Sequence, residues 1–166
     1  MILPDPEALL DTLAAKIRAD LRADTALVGI HTGGVWVAQR LHQMLGVRLP
    51  MGTIDVAFYR DDYKKKGLAP GVRPSDIAFP VEDAQIILVD DVLYTGRTIR
   101  AAMNEIFDYG RPNSIRLAAL VDRGERQLPI CPQYVGAQIV AGRDQSIELK
   151  RDEAGRFALV LAARGA

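Results

Sequence analysis

The stretch from Ile86 to Thr98, IILVDDVLYTGRT, constrains this chain more than any other, because a buried strand, two acids and an anion-binding loop follow one another without interruption. Ile86, Ile87, Leu88 and Val89 are apolar without polar alternation, and three of the four are β-branched. That is the pattern of a central parallel strand covered on both faces. The strand is expected to stop at Asp90 and Asp91. Thr95-Gly96-Arg97-Thr98 then leads into a helix-like run, which puts the loop between the carboxyl end of a strand and the start of a helix. Open α/β sheets bind their ligands at that edge.

Each residue type in the string has a chemical use. Glycine lets the backbone approach an anion, and successive N–H groups at a helix start, helped by the Thr95 and Thr98 hydroxyls, can hold a phosphate. Two adjacent carboxylates are acceptors suited to a sugar diol. Together they describe a ribose 5-phosphate site, with the diol on Asp90 and Asp91 and the phosphate in the loop. An isolated Asp pair would read as a helix-end charge pair and an isolated Gly96 as a plain turn; the ordered string is what argues for a site.

The rest of the chain alternates strand and helix. Asp5-Pro6-Glu7 opens a helix whose apolar stripe is Leu9, Leu10, Leu13, Ile17 and Leu21. Ala26 to Ile30 reads as a strand, His31 to Gly34 as a glycine-bearing loop, Val35 to Leu45 as a helix ended by Gly46, and Met51 to Tyr59 as a strand. A long polar segment, Arg60 to Pro80, follows and contains Lys64-Lys65-Lys66; loops of that length inside a compact domain usually have a task or are disordered. Thr98 to Tyr109 reads as a helix and Ile115 to Val121 as a strand, which argues for a right-handed parallel α/β sheet. After Asp122 short strands are expected around turns, with a late hairpin from Ile147 to Leu149 and Phe157 to Leu161.

With 166 residues, 21 basic against 21 acidic side chains and 49% hydrophobic residues, the chain fits one domain, and its overall charge calls for no nucleic-acid partner. Its one cysteine, Cys131, excludes an intramolecular disulfide, and no signal-like or membrane-length apolar run is present. A cytoplasmic setting with no membrane partner is expected. His42 and Trp36 read as packing or surface residues, and no Cys/His cluster has metal spacing.

Val89 to Thr98, together with Asp108-Tyr109-Gly110-Arg111-Pro112, Val121-Asp122-Arg123-Gly124 and Leu128-Pro129-Ile130, resembles the PyrR family of type I phosphoribosyltransferases, over a span from about Leu27 to about Ile139. PyrR proteins are uracil phosphoribosyltransferases, some of which also bind pyrimidine-operon messenger RNA. The resemblance implies a parallel twisted sheet flanked by helices, one phosphoribosyltransferase domain over residues 1–166, a flexible loop at about 60–80 and a hood over the base at about 122–145. It implies uracil, phosphoribosyl pyrophosphate and UMP as ligands, magnesium carried in with the substrate, and a homodimer or larger assembly, with the first helix and the Trp36 helix as candidate surfaces.

Residue by residue, the resemblance implies catalytic roles for Asp91, Arg60 and Asp122. It implies substrate contacts from Thr32, Gly33 and Gly34 near the pyrophosphate and from Asp90, Asp91, Val92, Leu93, Tyr94, Thr95, Gly96, Arg97 and Thr98 around the ribose phosphate. Val121, Asp122 and Arg123 would border the base, with Asp122 supporting a magnesium–pyrophosphate group and Arg123 meeting pyrophosphate or shaping the pocket. Many members carry Arg or Lys near the first glycine loop, where this chain has His31 and Gly33. An RNA-binding, UMP-sensing regulator is the rival of a different class. Glu125 and Ala137 stand where RNA-binding members typically have histidine and lysine, and the first helix offers Ala15, Lys16 and Ala19 on its polar face. A carboxylate there repels RNA phosphates. Transfer to hypoxanthine or orotate, and a receiver-type domain without transfer chemistry, remain further alternatives.

Overall fold

Residues 1–56 and 75–164 are described by the computed structural model. In chain order their elements are α1 (Pro6–Arg18), β1 (Thr25–Ile30), α2 (Gly33–Leu45), β2 (Gly52–Ile54), β3 (Gln85–Leu93), α3 (Arg97–Phe107), β4 (Ser114–Asp122), β5 (Tyr134–Gln138), β6 (Gln145–Arg151) and β7 (Phe157–Ala163). Five strands form one parallel sheet in the order β2-β1-β3-β4-β5, and β6 and β7 form an antiparallel hairpin outside it. From β1 the chain steps outward to β2, whereas from β3 it steps the opposite way to β4 and β5. The strand order therefore reverses between neighbours β1 and β3, and their carboxyl ends flank the crevice that such a reversal opens.

The two faces of the sheet feed two cores, with the side chains of each strand alternating between them. Ile87 and Val89 pack with α1, α2 and the hairpin, in a cluster that includes Leu10, Leu13, Ile17, Leu41, Ile147 and Phe157. Ile86 and Leu88 turn to the other cluster, with Ile99 and Ile106 of α3 and with Phe79 and Val81. This is why the strand reads as an unbroken apolar run. Helix α1 starts where Asp5 Oδ1 accepts the Glu7 N–H at 3.1 Å and Pro6 occupies the first turn.

Several boundaries differ from the sequence reading. β3 continues through Asp90 and Asp91 to Leu93, because β4 runs alongside and pairs Asp90 with Ala119, Val92 with Val121 and Leu93 with Asp122. Helix α2 begins at Gly33, so the two glycines form its first turn and not a loop before it. β2 is only Gly52–Ile54; Thr53 exchanges two backbone hydrogen bonds with Asp76, at 2.8 and 2.9 Å, and residues 57–59 lie outside the described residues. Tyr134–Gln138, assigned to the hood by the sequence reading, is the fifth strand of the main sheet. The late hairpin is present and longer than expected, in register from Gln145 opposite Ala163 to Arg151 opposite Phe157. Among the described residues no helix is long and apolar enough to cross a membrane.

Candidate active site

The carboxyl ends of β1 and β3 are brought into contact by two missing side chains. A Cβ on Gly33 would overlap the Asp91 carboxylate, lying 2.6 Å from its Cγ, and a Cβ on Gly34 would lie 2.6 Å from the Val89 carbonyl oxygen. The first turn of α2 therefore rests directly on the two acids. Thr32 precedes that turn across a cis His31–Thr32 peptide, and its hydroxyl makes no capping hydrogen bond. The acids differ in setting: Asp90 is buried, and its Oδ1 accepts the Asp91 N–H at 2.9 Å. Asp91 is half-buried, with Oδ1 accepting the Val92 N–H at 2.9 Å, and is the carboxylate more open to a ligand.

Beyond β3 the loop is held from one side. The Tyr94 carbonyl accepts from Arg126 Nη1 at 2.8 Å, and the Thr95 carbonyl accepts from Gln127 N at 2.9 Å and Leu128 N at 3.2 Å. A planar trans peptide sets its N–H opposite its C=O. With two successive carbonyls turned toward 126–128, the N–H groups of Thr95 and Gly96 point to the other side, at the amino end of α3. Successive N–H groups in this arrangement make a concavity for an anion. Gly96 takes φ +94°, and a Cβ there would meet Ile130 at 2.9 Å, so both the turn and the overlying chain require glycine. Thr95 is buried and its Oγ1 accepts the Arg97 N–H at 3.2 Å; Thr98 is half-buried, and exposed Arg97 reaches Gln127 Oε1 through Nε at 2.8 Å.

The base-side residues are placed less simply than the sequence suggests. Asp122 has both oxygens engaged, Oδ1 by the Gly124 N–H at 2.9 Å and Oδ2 by Arg126 Nη2 at 2.7 Å. Arg126 also donates to the Ile130 carbonyl at 3.0 Å, so one guanidinium ties β4, the Tyr94 peptide and the chain over Gly96 together. Asp122 is thus tied to the Gly124 turn and to Arg126 at the end of β4. Arg123 is buried between the base of the hairpin and the loop, donating to the Gln145 carbonyl at 2.8 Å and lying over the Tyr94 ring at 4.0 Å. Val121 and Leu93 are buried in the two cores. Val92 is half-buried and packs on the α1–α2 core.

Arg60 and Lys64 to Lys66 lie outside the described residues. Trp36 stacks on Phe157 with centroids 6.5 Å apart, and His42 Nε2 lies 2.8 Å from the Leu49 carbonyl oxygen, so both are occupied away from the site. A cavity of about 390 Å³ lined by Trp36, Arg40, His42, Met51, Arg151 and Phe157 shares no residue with the two loops. Arg126, Gln127 and Arg164 are the residues that sequence reasoning passed over. Arg126 sits four residues after Asp122 in a non-helical segment, so no periodicity marks the pair, and its other partners depend on the fold. Among the described residues no group of three His, Cys, Asp or Glu side chains is placed to hold a metal.

The Phosphoribosyl transferase domain model matches residues 2–146. The chain is 51% identical over 154 residues to a protein of Pseudomonas paraeruginosa named Bifunctional protein PyrR, covering 90% of each. It is 50% identical over 158 residues to the Bifunctional protein PyrR of Ralstonia nicotianae, covering 93% of this chain and 90% of that one. Among solved structures it resembles a hypoxanthine-guanine phosphoribosyltransferase of Bacillus anthracis, with a TM-score of 0.67, 20% identity and coverage of 84% of this chain and 83% of that one. The likeness extends to the enzyme of Leishmania tarentolae in complex with GMP, with a TM-score of 0.63, 20% identity and coverage of 86% and 82%. At that identity the structural likeness speaks for the fold, whereas half-identity along nine-tenths of the chain speaks for descent: the chain belongs to the PyrR family and carries the phosphoribosyltransferase fold.

Proposed function

We propose that the chain is a uracil phosphoribosyltransferase of pyrimidine salvage, converting uracil and 5-phosphoribosyl 1-pyrophosphate to UMP and pyrophosphate. The observation that carries this reading is the turning of the Tyr94 and Thr95 carbonyls onto 126–128, which leaves a nest of N–H groups beside the half-buried Asp91. The nest, with the hydroxyl of Thr98, takes the 5-phosphate, and Asp91, backed by Asp90, takes the ribose hydroxyls. Held at both ends, the sugar presents C1 to the base in one geometry, and this orientation supplies much of the rate. The bond from C1 to pyrophosphate breaks, its electron pair leaving with pyrophosphate, as the bond to uracil nitrogen forms through an oxocarbenium-like state and that nitrogen releases its proton to water or to the departing pyrophosphate. Stabilising the departing pyrophosphate is then the main electrostatic demand, met by the N–H groups of the Gly33–Gly34 turn and by Arg60.

Magnesium carried in with the substrate would be held by phosphate oxygens and water with a carboxylate such as Asp91 nearby, and would supply neutralisation of charge on the leaving group. Pyrophosphate release in the presence of magnesium and phosphoribosyl pyrophosphate, read against uracil, orotate, hypoxanthine, guanine and adenine, tests the proposal. Turnover with uracil alone is expected. Turnover with another base would reassign the substrate, and silence across the panel would remove the transfer chemistry.

A second reading, an RNA-binding regulator that senses UMP, draws support from the word bifunctional in the relatives' name. Local charge argues against it. Glu125 brings a carboxylate to that surface and Ala137 brings no charge. A gel-shift assay with the leader RNA of the chain's own operon is expected to show no UMP-enhanced complex; a tight one would make the chain a regulator as well.

A further inference from the structure

Tyr94 lies inside the phosphoribosyl loop, yet its side chain belongs to a cluster that reaches the far end of the chain. Arg164, the residue after β7, donates through Nη1 to the Tyr94 hydroxyl and lays its guanidinium over the ring, 4.5 Å from the centroid. Its own backbone is held, because Arg164 N donates to the Asp144 carbonyl at 2.7 Å across the base of the hairpin. Arg123 lies over the same ring at 4.0 Å and donates to the carbonyl of Gln145, the first residue of β6. Glu125 supplies the counter-charge, accepting from the Tyr94 hydroxyl at 3.2 Å and pairing with Arg123 at 3.5 Å. Two guanidinium groups anchored on the hairpin base thus converge on one ring of the loop, 70 residues before Arg164 in sequence.

We propose that Arg164 is a positioning residue for the candidate site: the base of the C-terminal hairpin, acting through Arg164 on Tyr94, fixes the phosphoribosyl loop. The inference rests on reading that loop as a phosphate site. Tyr94 contributes the carbonyl that meets Arg126 and immediately precedes the N–H of Thr95. Clamping the ring restricts the rotation of that peptide, so the N–H groups keep one direction before the ligand arrives. A loop already ordered loses less conformational freedom on binding an anion. The hairpin does not depend on Arg164 for its own place, because Ile147, Leu149 and Phe157 bury themselves with α1 and α2. Removing Arg164 therefore loosens the loop and leaves the hairpin packed.

Titration calorimetry of the full chain with ribose 5-phosphate tests this. Arg164→Ala is expected to weaken binding by about threefold to tenfold while the thermal midpoint moves by no more than about 2 °C. Tyr94→Phe, which keeps the ring and removes the hydroxyl, is expected to weaken it similarly, and the double variant to add little, as for residues acting through one contact. Arg164→Lys retains a cation over the ring and recovers part of the loss, and Lys150→Ala, on exposed β6 beside Glu148, changes nothing. Equal binding by wild type and Arg164→Ala, or losses in Arg164→Ala and Tyr94→Phe that multiply in full, overturns the inference and leaves the site standing. Absence of binding by the wild type overturns the reading of the loop itself.

Discussion

Asp90 and Asp91 are neighbours in sequence with different surroundings, and substitutions should separate them. Asp91 is the more open carboxylate, so Asp91→Asn is expected to reduce kcat/KM for phosphoribosyl pyrophosphate by about 100-fold with an unchanged thermal midpoint, a loss confined to transition-state stabilisation. Unchanged kinetics would remove Asp91 from the mechanism. The opposite split is expected at Gly34, whose added methyl would press on the Val89 carbonyl at 2.6 Å. Gly34→Ala should cost about 1–3 kcal/mol in urea unfolding, because strand and helix backbone would have to part. The acid pair and the glycines were legible in the sequence because each has its own chemical signature. What the sequence did not disclose is that Asp122 and Arg126 spend their charges on each other. That depends on where a non-helical segment folds back, and no spacing rule covers it.

Between elements, α1 is tied to α2 by Glu7 and Arg40, whose two hydrogen bonds measure 3.2 and 2.5 Å. The hydrogen bond from Arg40 holds the Glu7 carboxyl below its ordinary range, against the opposing pull of burial. A carboxyl with a lowered folded pKa stabilises the protein above its unfolded pKa and loses that contribution as pH falls through the folded one. The tie is half-exposed, so its worth is no more than about 1 kcal/mol. Comparing urea midpoints at pH 7 and in the acid range should show wild type losing more stability on acidification than Glu7→Gln; equal losses would mean the ion pair contributes nothing. The same scale explains which elements the sequence revealed. β3 announced itself because both faces are covered and its apolar residues are consecutive, whereas Tyr134-Val135-Gly136-Ala137-Gln138 carries no such run and becomes a strand through pairing with β4. α2 began earlier than expected because its glycines are required by the acids beneath them, a constraint invisible until β1 and β3 stand side by side.

Across the whole molecule, the reversal of strand order between β1 and β3 sets the glycine turn and the acid-bearing strand on either side of one crevice, and the hairpin reaches the loop after that strand from outside the sheet, where Arg123 and Arg164 meet Tyr94. The outer rims of that sheet have a consequence of their own. An uncovered strand rim is a template on which other chains can polymerise, and proteins that stay in solution blunt it. At one rim β2 is three residues long, and Thr53 already shares two hydrogen bonds with Asp76. With that rim engaged by the chain's own groups, the sheet should not extend through β2 from one copy of this protein into the next as sheets do in fibrils.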